Sequence, residues 1–237
     1  MISVYQGGQS MKSEAIHGGI IASGSGTDAN AVMCAYNKGF MPEIADFRLI
    51  STKEGAGCIG KAEMQKVKSE VIECKKKDDV PDFNHRLSRY IKDHHIELLV
   101  LAGCVWEIYP IDGVLMINIH PADTVTHGGR YMYGLKVHER VLTEVLDIIY
   151  RELKTPDDEF DTYVTVHEVG FPIDQGPVLM RAPVKIPGDI IAALHKGTLS
   201  LKDAAERLQK HVIEYEWIFL PAAVRAAARS IIVAKRP

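Results

Sequence analysis

The stretch GIIASGSGTDAN, residues 19–30, decides the fold class of this chain. It begins with a short uninterrupted apolar run, passes through two glycines and continues into residues with helical spacing. We expect a buried strand over residues 19–23, a tight glycine turn, and a helix from about Asp28 to Asn37. A strand that ends in a glycine turn and leads into a helix is the first half of a βαβ unit, which predicts a parallel sheet.

Six further segments have the length and apolar content of strands. They are residues 44–51, 70–73, 98–102, 114–119, 162–169 and 177–186. These runs are continuous rather than alternating, which is typical of strands covered on both faces. Helical spacing occurs between them, over residues 60–68, 83–94 and 136–153, and the tail from Ser200 onward is helical. The pattern predicts an α/β fold with a doubly wound, Rossmann-like, mostly parallel sheet and extra C-terminal helices.

The composition of the chain argues against several classes of binding partner. The 237 residues carry 28 lysines and arginines against 31 aspartates and glutamates, a formal net charge of −3, which gives no reason to expect a nucleic-acid partner. No apolar run reaches the length needed to cross a bilayer, so no membrane association is expected. The four cysteines form neither a C-x-x-C pair nor a zinc spacing. They predict free thiols, no metal and a cytoplasmic location.

The glycine turn of the first βα unit is a candidate ligand site. Glycines let the backbone approach a phosphate, and the following helix N-terminus offers free N–H groups and a positive dipole end. Ser25 and Thr27 would add hydroxyl donors. The glycine spacing also fits a dinucleotide fingerprint, but residues 49–52 lack the acid that would hold a ribose. A phosphate site is therefore predicted, with a tight turn that binds nothing as the alternative.

A second candidate site lies in the segment INIHP, residues 117–121, at the end of a predicted strand. Asn118 and His120 are two residues apart, so both side chains project from the same face of the strand. An amide can donate to a developing oxyanion, and an imidazole can take or supply a proton. Asp174 in the later segment PIDQGP is a third candidate, because a carboxylate can orient or charge the imidazole. The alternatives are a structural histidine and an aspartate that only forms a turn.

Several motifs occur in a fixed order along the chain. They are the glycine loop, Leu101-Ala-Gly103, Asn118-x-His120-Pro121, Gly134-Leu-x-x-His138, and His167 followed by Asp174-x-Gly176-Pro177. Together they resemble the folate-dependent formyltransferases, and among these most resemble the phosphoribosylglycinamide formyltransferases of purine synthesis. The resemblance spans about residues 20–186. It implies a leader over residues 1–17, a formyltransferase catalytic domain over 18–190, and a helical tail over 191–237 packed on that domain.

The resemblance also implies roles for individual residues. The family's catalytic triad corresponds to Asn118, His120 and Asp174. Its substrate-phosphate loop corresponds to Ser25, Gly26, Thr27 and Asp28. Its folate pocket would be formed by Cys104, Val105, Trp106, Glu107, Ile108 and Phe171. The implied donor is 10-formyltetrahydrofolate, and no metal is implied.

The chain departs from the family pattern in several places. Trp106 replaces a basic residue that normally contacts folate, and Lys61, Arg130 and Lys136 are candidates to restore the charge. The Ser-Leu-Leu-Pro that usually follows the His-Pro is replaced by residues 122–130. The C-terminal helices differ from the family's usual ending. These changes affect the folate pocket and the lid over the active site, so they bear on the amine substrate more than on the reaction type.

The implied activity is transfer of a formyl group from 10-formyltetrahydrofolate to a primary amine, with glycinamide ribonucleotide as the expected acceptor. Protonated His120 and Asn118 would stabilise the oxyanion, and Asp174 would raise the His120 pKa. The alternatives are a formyltetrahydrofolate hydrolase, a formyltransferase for another amine, and a non-catalytic folate- or nucleotide-binding regulatory module. The expected partners are small-molecule substrates, and a homodimer is left open.

Overall fold

The computed structural model describes residues 15–236, which form a seven-stranded sheet with helices on both faces. The strands are β1 (Ile16–Ala22), β2 (Ile44–Ser51), β3 (Lys68–Val71), β4 (Ile96–Leu101), β5 (Leu115–His120), β6 (Asp161–Glu168) and β7 (Val178–Lys185). Their order in the sheet is β3-β2-β1-β4-β5-β6-β7. The first five are parallel, whereas β6 pairs antiparallel with both β5 and β7. The predicted doubly wound, mostly parallel α/β fold is confirmed.

The order of the strands reverses beside β1. From β1 the chain moves outward to β2 and β3, then crosses to β4 on the other side of β1. In open α/β sheets such a switch point leaves a crevice at the carboxyl ends of the two central strands. The loops after β1 and β4 meet there, since the Ser23 N–H donates to the Gly103 carbonyl (3.1 Å). The Val105 N–H in turn donates to the Ser23 hydroxyl (3.1 Å).

Helices cover both faces of the sheet. They are α1 (Thr27–Asn37), α2 (Gly57–Met64), α3 (Val80–Asp93), α4 (Thr124–His127), α5 (Leu135–Tyr150), α6 (Gly188–His195) and α7 (Leu201–Ala234). The larger core lies under α1, α5, α6 and α7, and the smaller core lies under α3 on the opposite face. In α3 the fully buried Phe83, Leu87 and Ile91 recur at intervals of four, which gives one apolar stripe facing the sheet.

Helix α7 is packed along α1 and α5. Its side chains Leu208 and Val224 are fully buried. At its N-terminus the Ser200 hydroxyl accepts from the Asp203 N–H (3.1 Å), a cap that contributes about 1 kcal/mol to helix stability. The helix therefore starts at a defined residue and buries apolar side chains in the larger core.

The prediction that no apolar run could cross a bilayer is wrong for α7. An 18-residue window of this 34-residue helix has a mean hydropathy of 1.5, so by length and composition alone it could span a membrane. In the structure, 33% of that window is buried. Core helices of globular proteins pass the same test, so this is weak evidence for a membrane segment.

All seven predicted strands are found, with boundaries shifted by a few residues at most. Strand β1 begins at Ile16, so it includes the last two residues of the predicted leader, while residues 1–14 lie outside the described part of the chain. The sequence pattern does not predict α4, and it predicts α6 only in part, as the start of the helical tail over residues 191–237. Helix α4 is a single turn, and α6 follows Pro187 and begins at Gly188, a pair that looks like a turn in sequence.

Replacing Leu208 with alanine tests whether α7 belongs to the cooperative core. Leu208 is fully buried, so L208A should lower the free energy of unfolding by about 2–5 kcal/mol through lost burial and the cavity left behind. The matched control is Lys210→Ala, because Lys210 is exposed and lies two residues further along the same helix. This change should alter the free energy of unfolding by no more than about 0.5 kcal/mol. Urea denaturation of both variants is the measurement. Equal effects would show that α7 unfolds independently of the sheet.

Candidate active site

A cavity of about 760 Å³ lies where the loops after β4, β5 and β6 meet, beside α1, α5 and α7. Asn118, His120 and Asp174 all line it, as do the six residues of the predicted folate pocket. Of the predicted phosphate-loop residues, Asp28 lines this cavity, whereas Thr27 lines a separate groove of about 810 Å³ between α1 and α7. The volume of the first cavity is typical of small-molecule sites.

The register of β5 and β6 places two side chains against each other in the cavity wall. The strands are antiparallel, with Asn118 opposite His167 and His120 opposite Thr165. Facing residues of such a pair have Cβ atoms about 5 Å apart, so their side chains touch. The Asn118 Nδ2 atom lies 3.2 Å from His167 Nε2, and the Thr165 hydroxyl donates to the Ala122 carbonyl (2.7 Å). The pairing thus adds a second histidine to the predicted Asn118 and His120.

Asp174 reaches the same place from the loop between β6 and β7. Its φ of +61° lies in the left-handed region, which short polar residues tolerate better than most. Its Oδ2 atom accepts from the Gly129 N–H (3.0 Å) and lies 3.7 Å from His120 Nδ1. Its Oδ1 atom lies 3.4 Å from His167 Nε2. The structure therefore brings Asn118, His120 and Asp174 together, with His167 touching the first and the last.

His120 has a neighbour at each ring nitrogen. The Nε2 atom bonds to the His127 backbone carbonyl (2.9 Å), and Nδ1 faces Asp174. Because a carbonyl only accepts, a neutral ring carries its proton on Nε2 and a lone pair on Nδ1. Burial lowers the pKa of His120 and outweighs the raising effect of the Asp174 carboxylate. Asp174 thus raises the His120 pKa as expected, but burial lowers it overall, which disfavours the expected protonated form and leaves the resting imidazole neutral.

The pKa values of Asp174 and His138 are both lowered, which leaves the carboxyl group charged and the imidazole neutral. Burial raises the pKa of Asp174, but its contacts with His167, the Gly129 N–H and His120 outweigh burial and lower the pKa overall. Burial also lowers the pKa of His138 to about 4. Its Nδ1 atom is buried without a hydrogen-bond partner, and the residue lines the cavity. At neutral pH the cluster contains an ionised carboxylate beside neutral His120 and His138.

The glycine loop is shaped by its packing on α2. A Cβ on Gly26 would come within 2.4 Å of the Cys58 Cβ atom, and the residue has a φ of +68°. The Cys58 N–H donates to the Gly24 carbonyl (3.1 Å), and the Lys61 ammonium donates to the Ser25 carbonyl (2.8 Å). The fold itself therefore requires a glycine at position 26. The phosphate-binding role of the loop stays a prediction.

Two buried acids lie beside this loop. Asp28 of α1 and Glu216 of α7 both line the cavity, and Glu216 is only 7% exposed. The Asp28 Oδ1 atom is buried without a hydrogen-bond partner. Burial raises the pKa of Asp28 to about 6, and burial together with the charge of Asp28 raises the pKa of Glu216 well above its ordinary value. A phosphate bound here would add negative charge to a site that already disfavours it.

The loop after β4 is fixed by a buried amide of α3. The Asn84 side chain donates to the Glu107 carbonyl (3.0 Å) and accepts from the Tyr109 N–H (2.7 Å). Val105 and Phe171 line the cavity and are both more than half exposed. Apolar side chains on a fixed loop give this part of the cavity the walls that a flat ring system needs.

Arg130 and Lys77 supply positive charge in this part of the cavity, where Trp106 replaces the expected basic residue. Of the three cations considered as replacements, Arg130 lines the cavity, where it pairs with Glu107 (3.2 Å). Lys61 lines the other groove. Lys77 is a further cation on the cavity wall that the sequence analysis does not single out. The neighbouring Cys104 is not an activated nucleophile, because burial raises its thiol pKa to about 11.

The profile of the formyl transferase family matches residues 19–222. The chain belongs to this family. The match begins within β1, covers the rest of the sheet and reaches into α7, well past residue 186, where the motif resemblance ends. Residues 16–18 of β1 and the last part of α7, up to Ala234, lie outside it.

Solved formyl transferase structures have the same fold. Glycinamide ribonucleotide transformylase 1 from Symbiobacterium toebii is 21% identical, with 97% of this chain and 92% of that chain covered and a TM-score of 0.68. The enzyme of the same name from Geobacillus kaustophilus is 25% identical (90% and 99% covered, TM-score 0.64). Phosphoribosylglycinamide formyltransferase from Coxiella burnetii is 24% identical (91% and 88%, 0.66). A search of curated proteins gives no match.

His138, His167 and Glu216 are titratable side chains of the cavity to which the sequence patterns assign no role. His138 and His167 belong to the ordered motifs, so the sequence contained a signal for both. Glu216 lies in the middle of a long helix, and no motif marks it. Only the packing of α7 along α1 shows that Glu216 reaches the glycine loop.

Replacing Asp28 with asparagine should stabilise the folded protein above pH 6. The folded-state pKa of Asp28 is raised from 3.8 to about 6, so between these values the folded protein holds a proton that the unfolded chain has lost. Stability therefore falls as pH rises from about 4 to 6 and the penalty stays constant above that. D28N removes this penalty, on the order of 3 kcal/mol.

Urea denaturation at pH 4.0 and pH 7.5 measures this difference. D28N and the native protein should differ little at the lower pH, and D28N should be the more stable at the higher pH. The control D157N changes an exposed aspartate and should have the same effect at both pH values. A D28N variant that is less stable than the native protein at pH 7.5 would contradict the assigned burial of the charge.

Proposed function

We propose that this chain transfers the formyl group of 10-formyltetrahydrofolate to a primary amine, with glycinamide ribonucleotide as the expected acceptor. The observation that carries the proposal is the convergence of Asn118, His120 and Asp174 on one cavity in a member of the formyl transferase family. The acceptor is proposed because solved relatives are named for glycinamide ribonucleotide. We place the enzyme in the cytoplasm, acting on small molecules without a metal.

In the first step the amine nitrogen attacks the formyl carbon. A C–N bond forms, and the carbonyl π electrons move onto the formyl oxygen. The second N–H of the Asn118 amide, which has no protein partner among residues 15–236, donates to this oxyanion. A preorganised donor of this kind lowers the barrier because it stabilises charge that develops only in the transition state.

The proton of the amine then has to leave. Neutral His120 accepts it at Nδ1, and the resulting imidazolium pairs with the ionised Asp174 carboxylate, whose Oδ2 atom is 3.7 Å away. In the second step the oxyanion electrons re-form the C=O bond while the bond from the formyl carbon to folate N10 breaks, and the electron pair of the broken bond stays on N10. The imidazolium returns the proton to N10, which gives tetrahydrofolate and the formylated amine with His120 neutral again.

The donor is proposed to lie against the loop after β4. Val105 and Phe171 would hold the flat ring system between apolar walls. Arg130 and Lys77, both on the cavity wall, would meet the carboxylates of the glutamate tail in place of the basic residue replaced by Trp106.

One observation favours a different amine as a second candidate acceptor. The buried carboxyl groups of Asp28 and Glu216 lie in the cavity beside the glycine loop. Carboxyl groups there suit hydroxyl or ammonium groups better than a phosphate dianion. An amine without a phosphate at this end therefore belongs in the same assay.

A formyl-transfer assay tests the proposed function. With 10-formyltetrahydrofolate as donor, we expect a formylated product with glycinamide ribonucleotide, detected by mass spectrometry, and no formate in the absence of an amine. Formate released at the same rate without an amine would identify a hydrolase. Formylation of only phosphate-free amines would support the second candidate. Absence of donor binding in calorimetry would contradict the folate assignment altogether.

The pH dependence of kcat should show that His120 acts in its neutral form. Its pKa is lowered from 6.5, so kcat should be constant above neutrality and fall on the acid side as the ring becomes protonated. Asp174→Asn should reduce kcat by roughly a hundredfold. It should also move the acid limb to lower pH, because the carboxylate is what raises the His120 pKa against the effect of burial. A limb that moves to higher pH would contradict this assignment.

A further inference from the structure

His167 is a buried imidazole that the mechanism above does not use. It is only 1% exposed and stands on β6 directly opposite Asn118. Its Nδ1 atom lies 2.9 Å from the Glu168 backbone carbonyl. A carbonyl oxygen only accepts, so Nδ1 carries a proton whatever the charge of the ring. The hydrogen bonding of His167 toward the cavity therefore depends on Nε2 alone.

Two groups compete for His167 Nε2. The Asn118 Nδ2 atom is 3.2 Å away with hydrogen-bond geometry, and the Asp174 Oδ1 atom is 3.4 Å away. The first contact needs a lone pair on Nε2, because an amide nitrogen only donates, whereas the second needs a proton there. One nitrogen cannot satisfy both at once. The contact that is shorter and has hydrogen-bond geometry turns the Nε2 lone pair toward Asn118.

The orientation of the Asn118 amide has a direct chemical consequence. An amide presents a donor at one end and an acceptor at the other, and rotation by 180° exchanges them. Only the NH₂ end can stabilise an oxyanion. In the described residues Asn118 has a side-chain hydrogen bond to His167 and to no other residue, so nothing else fixes which end is which.

We propose that His167 is a positioning residue whose Nε2 lone pair accepts one N–H of Asn118 and thereby holds the other N–H ready for the formyl oxygen. The inference rests on the proposed function for its kinetic meaning, since the oxyanion belongs to formyl transfer. The hydrogen bond itself does not depend on that activity. His167 contacts no reacting atom in this mechanism and acts through Asn118.

The test compares two substitutions of one residue. His167→Gln places an amide oxygen near the position of Nε2 and keeps an acceptor for Asn118. His167→Leu has a similar volume and no acceptor. H167L should lower kcat by about tenfold or more with KM values changed less than about threefold, whereas H167Q should stay within about threefold of the native kcat. Thermal unfolding of both variants establishes that they are folded.

A second readout separates this inference from the proposed function. In ¹⁵N-labelled protein the side-chain NH₂ signals of Asn118, identified by their loss in Asn118→Asp, should show one proton shifted by its bond to an acceptor. H167Q should keep that shift and H167L should lose it. If H167L keeps the native Asn118 signals or the native kcat, the inference is wrong. If the native enzyme transfers no formyl group, the NMR comparison still decides it, and only the proposed function fails.

Discussion

The antiparallel pairing of β5 with β6 determines which side chains meet in the cavity. The register sets Asn118 opposite His167 and His120 opposite Thr165, and side chains alternate between faces along each strand. A slip by one residue would turn Asn118 and His120 out of the cavity together. Strand β6 also leads into the loop that carries Asp174, and this places the Asp174 carboxylate beside the His120 ring. The reversal of strand direction at this edge of a parallel sheet is thus what assembles the site.

Desolvation then sets the charges of the groups that the register has brought together. Burial keeps His120 and His138 neutral, while hydrogen bonds from its neighbours keep Asp174 ionised. The mechanism needs this combination, because a proton can move to an imidazole only if it is not already protonated. Beside the glycine loop the same effect raises the pKa of Asp28 to about 6 and that of Glu216 well above its ordinary value. That end of the cavity therefore carries less negative charge than two ordinary carboxylates would, although Asp28 is ionised above about pH 6.

Much of the fold could be predicted because local patterns specify it. Continuous apolar runs mark the strands, and the motifs at strand ends fall on one edge of the sheet once the strands are parallel. The direction of the His120 pKa shift could not be predicted, since it depends on how far burial outweighs Asp174. Glu216 was missed because it lies in α7, far along the chain from the glycine loop, and only tertiary packing brings them together. Gly26 was assigned to ligand binding, whereas its contact with Cys58 shows a structural requirement.

The proposed mechanism requires the formyl group to lie beside Asn118 and His120 during transfer. The most direct measurement is a crystal structure of the enzyme with a folate analogue whose formyl group cannot be transferred. We expect the formyl oxygen within about 3.2 Å of Asn118 Nδ2, the formyl carbon on the His120 side of the cavity, and the ring system between Val105 and Phe171. An analogue bound in the groove between α1 and α7, or with its formyl group out of reach of Asn118 and His120, would contradict the account.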